Sequence, residues 1–215
     1  MNFIDKQIEQ YALTHSHAES EVLKNLARET HLKVLAPRML SGHLQGNILE
    51  MYSCMIKPNS VLEVGTYTGY SAICLAQGVS PGGMLHTIDI NEELEEMARD
   101  AFKNAGVSER ITQHFGNAVD IIPTIDSRFD LVFIDADKIN YQTYYDLVID
   151  KVNIGGFVIA DNVLWSGKVL TNPKEMDNDT KAIHEFNEMI TEDKRVKNTL
   201  LPVRDGLMIA QKINP

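Results

Sequence analysis

From Ser60 onward, short apolar runs alternate with amphipathic stretches. The runs at 61–64, 84–88, 111–114, 131–134 and 156–160 are short and nearly continuous in hydrophobicity, as buried parallel strands are. Between them, 70–77, 92–105, 118–122 and 141–151 carry apolar residues at helical spacing. Strand and helix in alternation predict βαβ units, right-handed crossovers and a parallel sheet. The tail departs from this rhythm. Residues 181–190 read as a helix, and apolar runs at 196–202 and 207–213 flank Arg204-Asp205-Gly206. Asp-Gly between two such runs signals a hairpin, so the sheet should finish with an antiparallel pair.

Ahead of this core, to about Met55, the spacing predicts helices. Ser16-His17-Ala18-Glu19 has the form of a capping box, with Val22, Leu23, Leu26 and Ala27 following at helical intervals. Pro37 breaks the chain, and Ser41 is placed to cap a third helix through Leu44, Ile48, Leu49 and Met55. Residues 165–179 hold Gly167, Pro173 and several polar side chains, and read as a long loop of the kind that often covers a site.

Composition narrows the class. A chain of 215 residues fits one domain spanning 1–215, with 44% hydrophobic and 23% charged residues, close to globular averages. The formal charge of -10 argues against a broad phosphate-binding surface, so nucleic acid is an unfavoured partner. Cys54 and Cys74 both lie in apolar helical patterns and are expected as buried, reduced thiols. The stretch 1–10 carries Asp5 and Glu9 and is not expected to be a signal peptide. No apolar run approaches the roughly 20 residues that span a bilayer, so the expected location is the cytoplasm.

Candidate chemistry collects where the apolar runs stop in acidic residues. In Val61-Leu62-Glu63-Val64-Gly65-Thr66-Tyr67-Thr68-Gly69 a strand passes into a glycine-rich turn. A P-loop would need Gly-Lys-Ser/Thr, and a dinucleotide turn would need glycine where Tyr67 stands, so a phosphate-free ligand is favoured. Glu63 would repel phosphate, but would attract an ammonium or sulfonium group, or accept from backbone amides. Asp89, ending Leu85-His86-Thr87-Ile88-Asp89, can accept from both ribose hydroxyls. Together these describe S-adenosylmethionine.

Asp135, in Phe133-Ile134-Asp135-Ala136-Asp137-Lys138, joins Asp161 and Asn162 at the end of the 156–160 strand as hard oxygen donors. They suit Mg²⁺, with Ca²⁺ or Mn²⁺ as alternatives, although Asp and Asn at strand ends also cap helices or satisfy loop amides. Lys138, beside such a cation, can act as base toward a hydroxyl. Trp165 suits either core packing or a lid over an aromatic substrate. None of the seven histidines, His15, His17 and His184 included, sits where a catalytic role is expected.

Three ordered motifs carry a family resemblance. They are Leu62–Ser71, the run 133–138 with Asn140-Tyr141, and Asp161-Asn162-Val163-Leu164-Trp165 with Gly167. They resemble the cation-dependent O-methyltransferases, which include caffeoyl-CoA and catechol O-methyltransferases, and the likeness runs from about Met39 to the C-terminus. The resemblance implies the class I S-adenosylmethionine-dependent methyltransferase (Rossmann-like) fold. This α/β architecture has a seven-stranded, mostly parallel sheet with an antiparallel last strand and helices on both faces. Here it would comprise N-terminal helices over 1–55 and a Rossmann-like core over 60–215. The resemblance also implies cofactor contacts at Ser41, Glu63, Gly65, Thr66, Ser71, Asp89, Asn117, Ala118, Asp135 and Asp137. It gives the metal to Asp135, Asp161 and Asn162, and catalysis to Lys138 and Asp135. The implied reaction is methylation of one hydroxyl of a vicinal dihydroxy aromatic compound by a homodimer. A hydroxyuridine of tRNA, or cofactor binding without catalysis, are the alternatives. Gly42-His43 and Arg204 depart from the family's usual residues and bear on the choice of acceptor.

Overall fold

Each apolar run is a strand in the computed structural model, which describes residues 5–215. The first four residues of the 1–10 stretch lie outside the described residues. The chain divides into two compact units, residues 6–117 and residues 118–215.

In the first unit, α1 (Lys6–Thr14), α2 (Glu21–Lys33), a 3-10 turn over Pro37–Met39 and α3 (Gly42–Ile56) precede β1 (Ser60–Val64). Then come α4 (Tyr70–Ala76), β2 (Met84–Asp89), a 3-10 turn over Glu92–Leu94 leading into α5 (Glu95–Asn104), and β3 (Ile111–Phe115). β2 pairs in parallel with β1 and with β3. Every residue of α4 is buried, which explains why its sequence is apolar all round rather than striped.

The second unit runs α6 (Ala118–Ile121), β4 (Phe129–Ile134), α7 (Tyr141–Ile149), β5 (Val152–Asp161), α8 (Asn178–Glu192), β6 (Val196–Leu201) and β7 (Leu207–Lys212). β4 and β5 are parallel, while β7 runs antiparallel to both β5 and β6. Leu131, Val132, Phe133 and Ile134 are fully buried, each adding about 1.5–3 kcal/mol of hydrophobic stabilisation. The strands are ordered β3-β2-β1 in the first unit and β4-β5-β7-β6 in the second. The hairpin signal at Asp205-Gly206 is the β6–β7 turn.

Four local expectations are corrected. Helix α2 is capped by Ser20, whose extended backbone lets its Oγ accept from Leu23 N–H at 3.3 Å. Ser16 donates instead to Ala12 O at the end of α1, and Glu19 accepts from the Tyr70 hydroxyl, so neither forms a capping box. Ser41 stands at the head of α3 but has helical φ/ψ and makes no side-chain cap, because capping geometry needs an extended residue there. Cys74 is buried, but Cys54 is exposed, since it lies on the outer side of α3. Residues 165–179 hold more regular structure than a plain loop. They contain 3-10 turns at Trp165–Leu170 and Pro173–Glu175, and then Asp177, which caps α8.

Candidate active site

The glycine turn after β1 is built by β2. Parallel register sets Glu63 beside Thr87, and the fully buried Glu63 accepts from the Thr87 hydroxyl at 2.6 Å. Thr87 spends its proton on Glu63, so Thr66, 2.5 Å away, donates to Thr87. Asp89 closes the turn from the next strand end. Its carboxylate accepts Tyr67 N–H at 2.6 Å and Asn91 N–H at 2.9 Å. Gly65 has φ 106° and Tyr67 φ 49°, left-handed backbone that costs glycine little and tyrosine more. The Tyr67 hydroxyl donates to Ala36 O at 3.0 Å. Gly69, with φ 91°, ends the turn, and a Cβ there would lie 2.6 Å from Phe102 Cε1.

Of the remaining residues expected at the cofactor in this unit, Ser41 and Ser71 are buried and Asn117 is exposed. No lysine or arginine occurs between Ser60 and Ser80, which fits the turn to a phosphate-free ligand. His43, one of the family departures, donates from Nε2 to His17 O at 2.7 Å, and Asn47 donates to the same carbonyl at 2.9 Å. That departure ties the segment before α2 to α3. Gly42, at φ 74°, takes a turn that glycine adopts cheaply.

In the second unit, register pairs Ile134 with Ala160, so Asp135 and Asp161 follow on neighbouring strand ends. Lys138, nine-tenths buried, donates to Asp135 Oδ1 at 3.1 Å and to the Tyr141 hydroxyl at 2.6 Å. Tyr141 in turn donates to Asp161 O at 3.0 Å. Burial, then the charges of Asp135 and Asp161, push the Tyr141 hydroxyl far above its ordinary range. Asp161 Oδ1 accepts Asn162 N–H at 2.7 Å, and Asn162 is left-handed at φ 58°. The Trp165 ring lies 5.7 Å from Lys138 Nζ.

Asp137 is exposed and accepts from the Tyr144 hydroxyl at 2.5 Å and from Asn140 at 2.6 Å; Ala118 is buried at the head of α6. Among the described residues, no three His, Cys, Asp or Glu side chains gather as an ion site by themselves. The set here is two carboxylates and an amide oxygen, a hard-donor arrangement that fits a cation completed by water or substrate oxygens. Thr87, Tyr141 and Tyr144 were not read as site residues from the sequence. Thr87 meets Glu63 only through the strand register, whereas Tyr141 could have been found three residues beyond Lys138.

This strand-end arrangement belongs to the class of nucleotide-type α/β enzymes that act at the carboxyl edge of the sheet. A family model described as O-methyltransferase matches residues 13–213, and the chain belongs to the cation-dependent O-methyltransferase family, whose members depend on S-adenosylmethionine. The caffeoyl-CoA O-methyltransferase of Stellaria longipes is 31% identical over 220 residues, covering 97% of this chain and 91% of that protein. Its counterpart in Medicago sativa is 32% identical over 206 residues, covering 91% and 83%. The O-methyltransferase TomG from Streptomyces achromogenes, solved with S-adenosylmethionine, superposes with a TM-score of 0.90 at 29% identity, covering 97% of this chain and 96% of that one. A Bacillus cereus O-methyltransferase, solved with S-adenosylhomocysteine, gives 0.88 at 28% identity over 96% and 97%. The class I fold expected from the resemblance is the fold observed.

Proposed function

We propose that this protein transfers a methyl group from S-adenosylmethionine to one hydroxyl of a small aromatic compound bearing vicinal hydroxyls, with help from a divalent cation. The observation that carries this reading is the pair of carboxylates, Asp135 and Asp161, acting around the buried Lys138–Tyr141 link. Caffeoyl-CoA O-methyltransferases among the relatives support a phenolic acceptor. We further expect a cytoplasmic homodimer, to be checked by light scattering.

Glu63, through its Thr87 bond, and Asp89, through the Tyr67 and Asn91 amides, stand ready for the cofactor's amino and ribose groups. Ser41, Gly65, Thr66, Ser71, Asn117, Ala118 and Asp137 would complete its contacts. The cofactor supplies an electrophilic methyl group on a sulfonium. Asp135, Asp161 and Asn162 would hold the cation, which when bound lowers the pKa of a coordinated hydroxyl. Lys138 Nζ receives the acceptor's hydroxyl proton or donates to the phenolate oxygen that remains. Because the reacting charges cancel on transfer, exclusion of water and alignment supply much of the rate.

Purified protein with 3,4-dihydroxybenzoate, S-adenosylmethionine and Mg²⁺ should release a methoxy product detectable by mass spectrometry. Chelator should abolish it, and Asp161→Ala should lower turnover by at least about a hundredfold. Full turnover of Asp161→Ala in chelator would defeat the metal assignment. Methylation of undermodified tRNA in place of the catechol would move the acceptor to RNA.

A further inference from the structure

The segment after Asn162 is held in an expensive shape. Trp165, Ser166 and Gly167 are successively left-handed, with φ of 45°, 54° and 80°, and two of the three carry side chains that disfavour this region. The Trp165 indole Nε1 is buried without a hydrogen-bond partner among the described residues. Such an arrangement persists only where its surroundings over-determine it.

The surroundings here are the β6–β7 turn. Leu164 N–H donates to Asp205 O at 2.8 Å, and Val163 N–H donates to Gly206 O at 3.2 Å. A Cβ on Gly206 would meet the Leu164 side chain at 2.6 Å and its backbone N at 3.0 Å, so the turn lies directly against Leu164. The Asp205 carboxylate reaches further and accepts Ser166 N–H at 2.5 Å, at the centre of the left-handed run. Arg204, a departure from the family's usual glycine, is itself left-handed at φ 52°, so strain lies on both sides of the contact.

We propose that Asp205 is a positioning residue for methyl transfer: its hydrogen bond to Ser166 N–H keeps the Trp165 indole over Lys138 and so sets how the acceptor is bound. This rests on the acceptor site proposed above. Asp205 acts through the loop.

Trp165 is the single tryptophan of the chain, so its fluorescence reports the loop without any need for turnover. In Asp205→Ala the acrylamide quenching constant should rise by at least about twofold as the indole loosens. Asp205→Asn keeps an oxygen acceptor in the same place and should stay near wild type. In kinetics with 3,4-dihydroxybenzoate, Asp205→Ala should raise the acceptor KM by about tenfold, the worth of one hydrogen bond. Its kcat should fall less, its affinity for S-adenosylhomocysteine should not change, and Asp205→Asn should recover the KM. Unchanged quenching and KM in a folded Asp205→Ala would overturn the proposal. So would an Asp205→Asn as impaired as the alanine variant, since the charge and not the hydrogen bond would then be responsible. If wild-type protein methylates no catechol, the acceptor reading fails, and the quenching series still decides the role of Asp205.

Discussion

Lys138 and Tyr141 show how little of a buried polar side chain's role can be seen from its neighbours in sequence. The lysine is three residues from both Asp135 and Tyr141, and the structure turns those intervals into a carboxylate contact on one side and a phenol contact on the other. Tyr141 then passes the connection to the backbone of Asp161 on the adjacent strand. Tyr141→Phe deletes one oxygen and leaves Lys138 with one fewer acceptor in a buried place. Urea denaturation should register a loss of roughly 1–3 kcal/mol, the range for stranding a buried polar group. Turnover should fall between about tenfold and a hundredfold if Lys138 loses its orientation. Unaltered turnover in a destabilised Tyr141→Phe would make the link purely structural.

Turns and strand pairs set the second level. Gly69 combines φ 91° with Phe102 at contact distance, so two independent reasons exclude a side chain there. Gly69→Ala should cost at least about 2 kcal/mol and weaken S-adenosylhomocysteine binding in calorimetry, because the turn before α4 must shift. On the edge of the sheet, His86 Nδ1 lies 3.1 Å from His114 Nε2 across β2 and β3. Burial lowers both below the ordinary value of 6.5, and for His86 the neighbouring ring adds to the effect. Between 6.5 and the depressed values the unfolded chain binds more protons than the folded one. The pair's contribution to stability is therefore full above 6.5 and is lost as pH falls through that window. The melting temperature should drop between pH 7 and pH 5, and drop less steeply in His114→Gln. An identical pH slope in the variant would remove the pair from the account.

For the folded chain taken together, the expected ligand gives a direct measure. S-adenosylhomocysteine at 100 times its dissociation constant should add about 2.7 kcal/mol, or roughly 5–10 °C for a chain of this length. NAD should add nothing, because Tyr67 occupies the place where a dinucleotide turn requires glycine. The alternation of apolar runs and amphipathic stretches was enough to place all seven strands to within a few residues. The acidic ends of those runs nominated Glu63, Asp89, Asp135 and Asp161 through their convergence, since a single carboxylate at a strand end can equally cap a helix or satisfy loop amides, as Asp89 does for Tyr67 and Asn91. Helix starts were less legible: the Ser16 pattern pointed to a cap, but the extended backbone of Ser20 lets that serine cap α2 instead. Nor could spacing reveal that Thr87 donates to Glu63, that Asp89 holds the Tyr67 amide, or that Asp205 reaches Ser166 across 39 positions. Hydrophobic periodicity is a local property, written into neighbouring residues. A hydrogen bond between distant residues exists only once strand register has brought donor and acceptor within 3 Å, and register is decided by the packing of the chain as a body.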